Sequence, residues 1–405
     1  MRLVPAFMRS KSERPAADAG YALTDPYLAE LLRGESATAS GVTVTIDQAL
    51  KNTTVMRCVS LTSFAIGRLP LHLIDAETKE KAKDHPLFRL LHRQPNPWQT
   101  AFEFRSLLQQ RALQHGDAYA RIVRNPGKSV IALVPLPTRE VTPRQKSDWS
   151  LEYVWQPPKG EKKVFSAREV FHLRYGISED GIRGISVVRQ AAEAIGLALQ
   201  AERAAARIFA EGMLAGGKLK HPNALSPEAR ERLRASMEAY AGAGAAGKWL
   251  VMEEGMDAEP FGSDAQGNQH LETRQHQIEE IARPFGVPRP LLGVDDTSWG
   301  SGIDVLGQFF VRYGLDPWFE AWQQAIARDL FTDREQDELE AKFNAGALLR
   351  GSMKDQADFF AKGLGAGGHQ PFLHQNEVRD WLDMPAREDL PERATAAKMT
   401  EEKQS

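Results

Sequence analysis

Few residues in this chain have the types and spacing that chemistry needs. The 405 residues include one cysteine, Cys58, which excludes a disulfide framework, a cysteine zinc site and an iron–sulfur cluster within a single chain. Cys58 lies beside Val59 in an apolar helical stripe, the setting of a buried core thiol rather than a nucleophile. His270 and His276 fall on a predicted helix but miss the i, i+4 spacing of a paired metal site, so they read as a solvated or inter-subunit face. Asp295-Asp296 offers hard oxygen ligands for a cation, although adjacent loop acids are commonly just solvated. Gly127-Lys128-Ser129 has the end of a phosphate-binding loop, but Ile122 stands where the motif needs its first glycine, which leaves an ordinary hairpin turn. There is no Gly-x-Ser-x-Gly elbow and no His-Glu-x-x-His. No catalytic residue, metal or cofactor is expected. Trp299, between Ser298 and Gly300, is an aromatic on a glycine-rich loop, placed either to anchor that loop or to touch a ligand.

The charge balance narrows the partners. Lys plus Arg is 51 and Asp plus Glu is 54, a net charge of −3. That argues against wrapping DNA by blanket phosphate neutralisation but not against letting DNA slide past. The basic residues are scattered, with no basic-aromatic stripe for gripping single strands. Hydrophobic residues are 42%, enough to bury a real core, and the length predicts two or three domains. No stretch approaches the ~20 apolar residues that span a bilayer. The first apolar run is broken by Pro5 and too short for the core of a signal peptide, so a soluble, cytoplasmic chain is expected.

The elements that must position these residues follow from periodicity and caps. Residues 1–40 lack a period and read as a flexible arm. Thr45 with Gln48 starts a helix whose buried face holds Val55, Val59 and Ile66, with Leu61 and Phe64 nearby; it ends before Pro70. Leu69–Ile74 reads as a strand. Thr100 and Glu103 form a capping box, and Gly116 sits at the C-cap of the helix they open. Tyr119–Val123 and Val130–Val134 form a hairpin around Asn125-Pro126-Gly127. Short strands follow near 138–142, 151–156 and 170–174, so 41–175 is a compact α+β unit. From Ser186 to Met213 a proline-free, alanine-rich stretch predicts one helix of about 28 residues, ~42 Å long. An α/β insert spans about 215–262, with strands at 218–220, 249–252 and 258–261 and a helix opened by Ser226-Pro227-Glu228. Helices are expected at 264–283 and at 303–330, the latter kinked by Pro317, and near 352–362 and 376–383.

That order of elements, with the residues that carry it, resembles the portal proteins of tailed bacteriophages of the HK97 type. The matching stretches are His85-Pro86-Leu87-Phe88 leading to Pro95-Asn96-Pro97, Gly116-Asp117-Ala118-Tyr119-Ala120, Gly181-Ile182-Arg183-Gly184-Ile185-Ser186, Ile281-Ala282-Arg283-Pro284-Phe285-Gly286-Val287-Pro288 leading to Leu291-Leu292-Gly293, and Asn376-Glu377-Val378-Arg379. Two features depart from the family pattern. Gly116-Asp117 stands where Gly-Asn is usual, a conservative, strand-initial change expected to matter little. The loop after Gly293 reads Val294-Asp295-Asp296-Thr297-Ser298-Trp299 instead of a run of Thr, Ser and Asn.

The resemblance implies an α+β portal-type fold: an N-terminal arm (1–40), an α+β wing (41–185), a first stem helix (186–214), a small α/β clip (215–262), a second, antiparallel stem helix (263–285), a tunnel loop (286–302), a long wing helix (303–344), a helical crown (345–385) and a tail (386–405). It implies a homo-oligomeric ring, typically of twelve subunits, at one capsid vertex of a phage or gene transfer agent. Double-stranded DNA would pass through its channel. Terminase large subunit, a head–tail adaptor and the major capsid protein would dock on it, with no membrane involved. The tunnel loop Asp295, Asp296, Thr297, Ser298 and Trp299 would face DNA. Glu272, Glu279 and Glu280 on the second stem helix would line the tunnel and repel phosphates. Ala198 and Ala205 would serve ring assembly through close helix approach. The alternative is a metal-dependent DNA-processing enzyme of the same packaging pathway, which would need clustered acids.

Overall fold

The computed structural model describes residues 36–176, 178–211, 217–220, 226–239, 257–260, 274–293, 303–344, 353–368, 370–381 and 384–388. Contacts divide the chain into two compact units, 1–297 with 313–343 and 298–312 with 344–405.

In the first unit, side-chain caps start the helices where the sequence provides them. Thr45 and Gln48 form a reciprocal capping box for α1 (Ile46–Ala49). That helix stops after four residues, because Asn52 opens a new one, α2 (Thr53–Arg68), by accepting from the N–H groups of Thr54 and Val55. One helix was expected where two exist. Phe64 is more than half exposed, on the side of α2 opposite Val55, whereas Val55, Cys58, Val59 and Ile66 are buried as expected. His85 caps α3 (Pro86–His92), with Pro86 in its first turn. Thr100 and Glu103 cap α4 (Ala101–His115), and Gly116, at φ 88°, ends it in the left-handed conformation.

Strands β1 (Ser36–Ala37) and β2 (Thr43–Val44) pair before α1, so ordered structure begins inside the stretch expected to be an arm. Strand β3 (Leu71–Asp75) follows α2. Strands β4 (Asp117–Arg124) and β5 (Val130–Leu136) make the expected hairpin, and β9 (Val170–Arg174) pairs on the other side of β4. A second sheet runs β6 (Val141–Gln145), β7 (Leu151–Trp155), β8 (Lys163–Ser166). Residues 138–140, expected as strand, form a 3-10 turn instead.

Strand register fixes the layers. Side chains alternate across a strand. Tyr119 and its partners Leu136 and His172 point one way, toward Val141 and Tyr153 of the second sheet. Ala118, Ala120 and Phe171 point the other way, where Phe171 meets Trp322 of α10 (Asp316–Leu330). Trp322 Nε1 donates to Gln109 Oε1 of α4 at 2.8 Å, so α4 and α10 lie side by side on that face. Helix α2 packs on α4 rather than on the sheet.

The chain then runs through α5 (Val187–Gln190) and α6 (Ala192–Glu211). The expected single helix is interrupted at Ala191, whose ψ of 3° leaves the helical range. Strands β10 (Gly217–Lys220) and β11 (Asp257–Pro260) pair antiparallel, and α7 (Pro227–Ala239) lies between them in sequence. Ser226 Oγ accepts from Ala229 N, as its motif promised. The expected strand at 249–252 lies outside the described residues. Helix α8 is described over 274–282 and tightens into a 3-10 turn at Arg283–Phe285.

The expected 303–330 helix is three segments: α9 (Ile303–Phe309), a π-helical stretch Phe310–Leu315, and α10. Pro317 has no N–H and its ring crowds the carbonyl of residue 313. The wider π turn just before it relieves that conflict. The boundary between the two units falls within this stretch. Beyond α10, a Thr332–Glu335 capping box starts α11 (Asp333–Glu338), and β12 (Leu339–Phe343) pairs with β3; both were missed as part of a long helix.

In the second unit, α12 (Met353–Gly363) and α13 (Gln375–Trp381) sit close to their expected spans. The Asn376–Arg379 motif acquires a local role there. Asn376 exchanges two bonds with the backbone of Arg387, and Arg379 Nε donates to Pro385 O.

One buried cation ties the helical layer of the first unit together. Arg105 of α4 is 6% exposed and donates to the carbonyls of Leu91, Gly67 and Leu69 at 2.7, 2.7 and 3.1 Å. These carbonyls cluster at the C-terminal ends of α2 and α3, where the helix dipoles favour a positive group. Burial lowers its pKa to about 10, so it remains a cation at neutral pH. Arg105→Met should cost about 3 kcal/mol, because the carbonyls stay buried without donors. Urea denaturation of the variant beside wild type measures this.

Candidate functional site

The expected site residues fall in three groups. Asp295, Asp296, Thr297, Ser298, Trp299 and Glu272 lie outside the described residues, as does His270. Glu279 and Glu280 lie on α8, half-buried and already engaged. Glu279 Oε1 accepts from Arg289 at 2.5 Å, and Glu280 faces His276 at 3.6 Å one turn away. Ala198 is 3% exposed within the single chain, whereas Ala205 is half-buried among exposed neighbours. Ala198 is thus packed within the chain itself, whereas Ala205 keeps part of its surface exposed. Cys58 is a free, buried thiol, and burial pushes its pKa up to about 12. Among the described residues no group of three or more His, Cys, Asp and Glu could hold a metal ion.

What the fold brings together is the pair of glycine motifs. Gly116-Asp117 opens β4, and Gly181–Ser186 precedes α5. The Asp117 side chain is buried between them, and its Oδ1 accepts from Gly184 N and from His172 Nε2, both at 2.8 Å. The backbones touch so closely that a Cβ on Gly184 would lie 1.9 Å from Gly116 O. Arg174 Nη1 holds the carbonyls of Gly181 and Ile182, both at 2.8 Å. Ser186 Oγ donates to Gln114 O and accepts from Arg189 N, which caps α5 while fastening it to the end of α4.

His172 extends this junction into the sheet. Burial is the largest influence on it and holds its pKa below the ordinary histidine range, against the Asp117 bond that raises it. The neutral ring donates from Nε2 to Asp117 and accepts at Nδ1 from the Tyr153 hydroxyl, 3.1 Å away. Burial likewise holds the Tyr153 phenol above its usual range. The ring of Tyr119 lies 4.6 Å from that of His172. The backbone of His172 is bound on both sides: its N–H donates to Asp329 Oδ2 at 2.8 Å, and its carbonyl accepts from Arg328 Nη2 at 2.5 Å. An Asp–His–Tyr chain has the elements of acid–base chemistry. This one is sealed: His172 is 1% exposed, and its hydrogen-bonding groups are used on the chain itself. Its product is rigidity where the sheet hands over to the long helix.

Sequence reasoning found Gly116-Asp117 and Gly181–Ser186 but took Asp117 for a minor substitution. It missed His172, Tyr153, Arg328 and Asp329. The available signal was the alternation of β9, which puts His172 on the same face as buried Val170.

The fold is thus an α+β body whose sheet hands over to a long helix through a buried polar junction. The phage portal protein family profile matches residues 53–383. The portal protein of Enterobacteria phage HK97 is 31% identical over 350 residues, covering 84% of this chain and 80% of the relative. The probable portal protein of Streptomyces phage phiC31 is 29% identical over 374 residues, covering 89% and 80%. Two solved structures share the fold. The neck of an empty gene transfer agent particle matches with a TM-score of 0.61 at 23% identity, covering 90% of this chain and 100% of that one. An HK97 family phage portal protein from Corynebacterium diphtheriae matches with a TM-score of 0.52 at 19% identity, covering 75% and 96%. The chain belongs to the phage portal protein family, a family of structural rather than enzymatic proteins. The expected fold class and family stand, and nothing among the described residues favours the metal-dependent alternative.

Two measurements probe the junction. Asp117→Asn keeps an oxygen that can accept both bonds and should shift stability by under about 1 kcal/mol, whereas Asp117→Ala strands two buried donors and should cost about 3 kcal/mol in urea denaturation. Acid should also weaken the fold. Burial, with Arg139, Arg189 and Arg111 adding to it, lowers His115 to about 4, and His172 is lowered too. The unfolded chain then takes up protons first, from about pH 6.5 downward, and stability falls between there and pH 4. His115→Gln should flatten part of that fall in denaturation midpoints taken from pH 7 to 4.5.

Proposed function

We infer that the chain assembles as a ring at one capsid vertex of a phage or gene-transfer-agent particle, where it forms the conduit for packaging and ejecting double-stranded DNA. Family membership supports this, and the observation that carries the geometry is α6. One face of its first half is buried, with Ile195 and Ala198 in the core, while Leu197 on that half and residues 202–204 and 206 further on are exposed. A helix held firmly at one end, with small residues open at the other, leaves surface for neighbouring copies. Twelve copies fit this reading, and a solved neck of a native gene transfer agent particle carries C12 symmetry.

In the ring, residues 41–185 serve as wing, 186–214 and 263–285 as antiparallel stem, 215–262 as clip, 286–302 as tunnel loop, 303–344 as the wing segment behind it, and 345–385 as crown. Residues 1–40 and 386–405 flank them. The mechanism is physical. Each phosphate contact adds affinity, so a conduit must keep its positive charge low. Within α8, Glu280 and His276 face each other, and Glu279 is matched by Arg289 just beyond it, so acids and cations are interspersed on this segment. Driving force comes from a terminase ATPase docked on the clip, with a head–tail adaptor and the major capsid protein as the other partners.

Negative-stain images and mass photometry of the purified chain test this. Rings of about twelve copies with an axial hole are expected, and a monomer under every condition overturns the reading. Ala205→Glu should cut the ring fraction at least tenfold while leaving the urea midpoint of the monomer unchanged.

A further inference from the structure

Two apolar features of the first unit are exposed among the described residues. On α2, Met56 and Phe64 are 52% and 55% exposed, two turns apart on one face through Ser60. Phe102, at the start of α4, is 44% exposed and stacks on Phe64 with ring centroids 6.0 Å apart. These residues make one apolar strip across two helices. The second feature is Trp149, at the tip of the β6–β7 hairpin and 80% exposed. Its φ of 66° is left-handed, which is strained for a bulky side chain. The tip is nevertheless firmly built. Trp149 N donates to Lys146 O, its carbonyl accepts from Gln145 Nε2, and Asp148 Oδ1 accepts from both N and Oγ of Ser150. The loop therefore holds an indole out into solvent on a rigid mount.

The layering puts the elements that carry these features, α2 and the β6–β7 hairpin, in opposite outer layers of one body. Helix α2 lies outside α4, α4 lies on one face of the β5-β4-β9 sheet, and the β6-β7-β8 sheet lies on the other face. A knob and an apolar face carried by opposite outer layers of the same chain suit a head-to-tail contact, which closes into a ring, and do not suit a two-fold dimer. Charges of both signs flank each side: Lys146 and Asp148 beside Trp149, and Arg57, Arg68 and Glu103, all exposed, beside the strip. We propose that Trp149 of one copy seats on the Met56–Phe64–Phe102 strip of the next, an aromatic anchor contact between adjacent wings. This rests on the ring reading and adds to it a contact separate from the stem helices. A buried Trp between aromatic side chains is a typical anchor of an interface.

The test is a cysteine pair, Trp149→Cys with Phe64→Cys, in the full-length chain, treated with a short bis-maleimide. The native Cys58 is buried and does not compete. A covalent ladder rising to the full ring, seen with the pair and with neither single variant, supports the contact. Trp149→Ser and Phe64→Ser should each lower the ring fraction at least tenfold at dilute protein, with the urea midpoint unchanged because both side chains are exposed. Full rings with both replaced, or rings that yield no ladder, overturn the proposal and leave the ring reading standing. A wild-type chain that never forms rings overturns both.

Discussion

A buried carboxylate with donors on two sides sets the geometry on which the rest of the molecule depends. Asp117 sits where water cannot reach, and a carboxyl group there is tolerable only if its hydrogen bonds are made. One donor, His172, comes from the neighbouring strand, and the other, Gly184, from the segment that becomes α5 and α6. Moving either would strand a polar group, so the handover from sheet to long helix is fixed in direction as well as position. The closeness of Gly116 and Gly184 makes the same demand in steric terms. For a chain that closes a ring with copies of itself, direction matters more than for a monomer, since a small angular error repeats at every interface.

The helical side of the body is held by a different device with the same logic. Arg105 gathers carbonyls from the C-terminal ends of two helices, using a cation where helix dipoles and unmet acceptors converge. Sheet and helical layers are thus each locked by one buried charged side chain bound mainly to backbone. Exposed charge is handled by short-range pairing, as with Arg289 and Glu279, and a near-neutral whole results. Such a surface can meet DNA without retaining it.

Local rules were legible in the sequence wherever one residue decides one bond. The Thr45–Gln48 and Thr100–Glu103 boxes, the Gly116 cap, the β4–β5 hairpin and the Ser226-Pro227 helix start all follow from hydrogen bonds or backbone angles that close within a few residues. The misses share the opposite property. Strand β12 was hidden because its partner β3 lies near the other end of the chain. The π turn before Pro317 is a compromise between a proline and the packing of the helices it joins, and only the proline is visible in sequence. Phe64 was grouped with the buried face of α2, but nine residues on from Val55 it falls on the opposite side of the helix.

The sequence by itself determined the family, the order of the elements and the two glycine motifs, because these are patterns of residue type at fixed spacing. Only the tertiary structure decided that the motifs meet across Asp117, that His172 and Tyr153 extend that contact, that Ala198 is core while Ala205 is half-buried, and that Trp149 and the Phe64–Phe102 strip are exposed. The physical reason is that burial and long-range pairing belong to the surroundings of a residue. Those surroundings are assembled from segments with no signal for one another until the chain is folded.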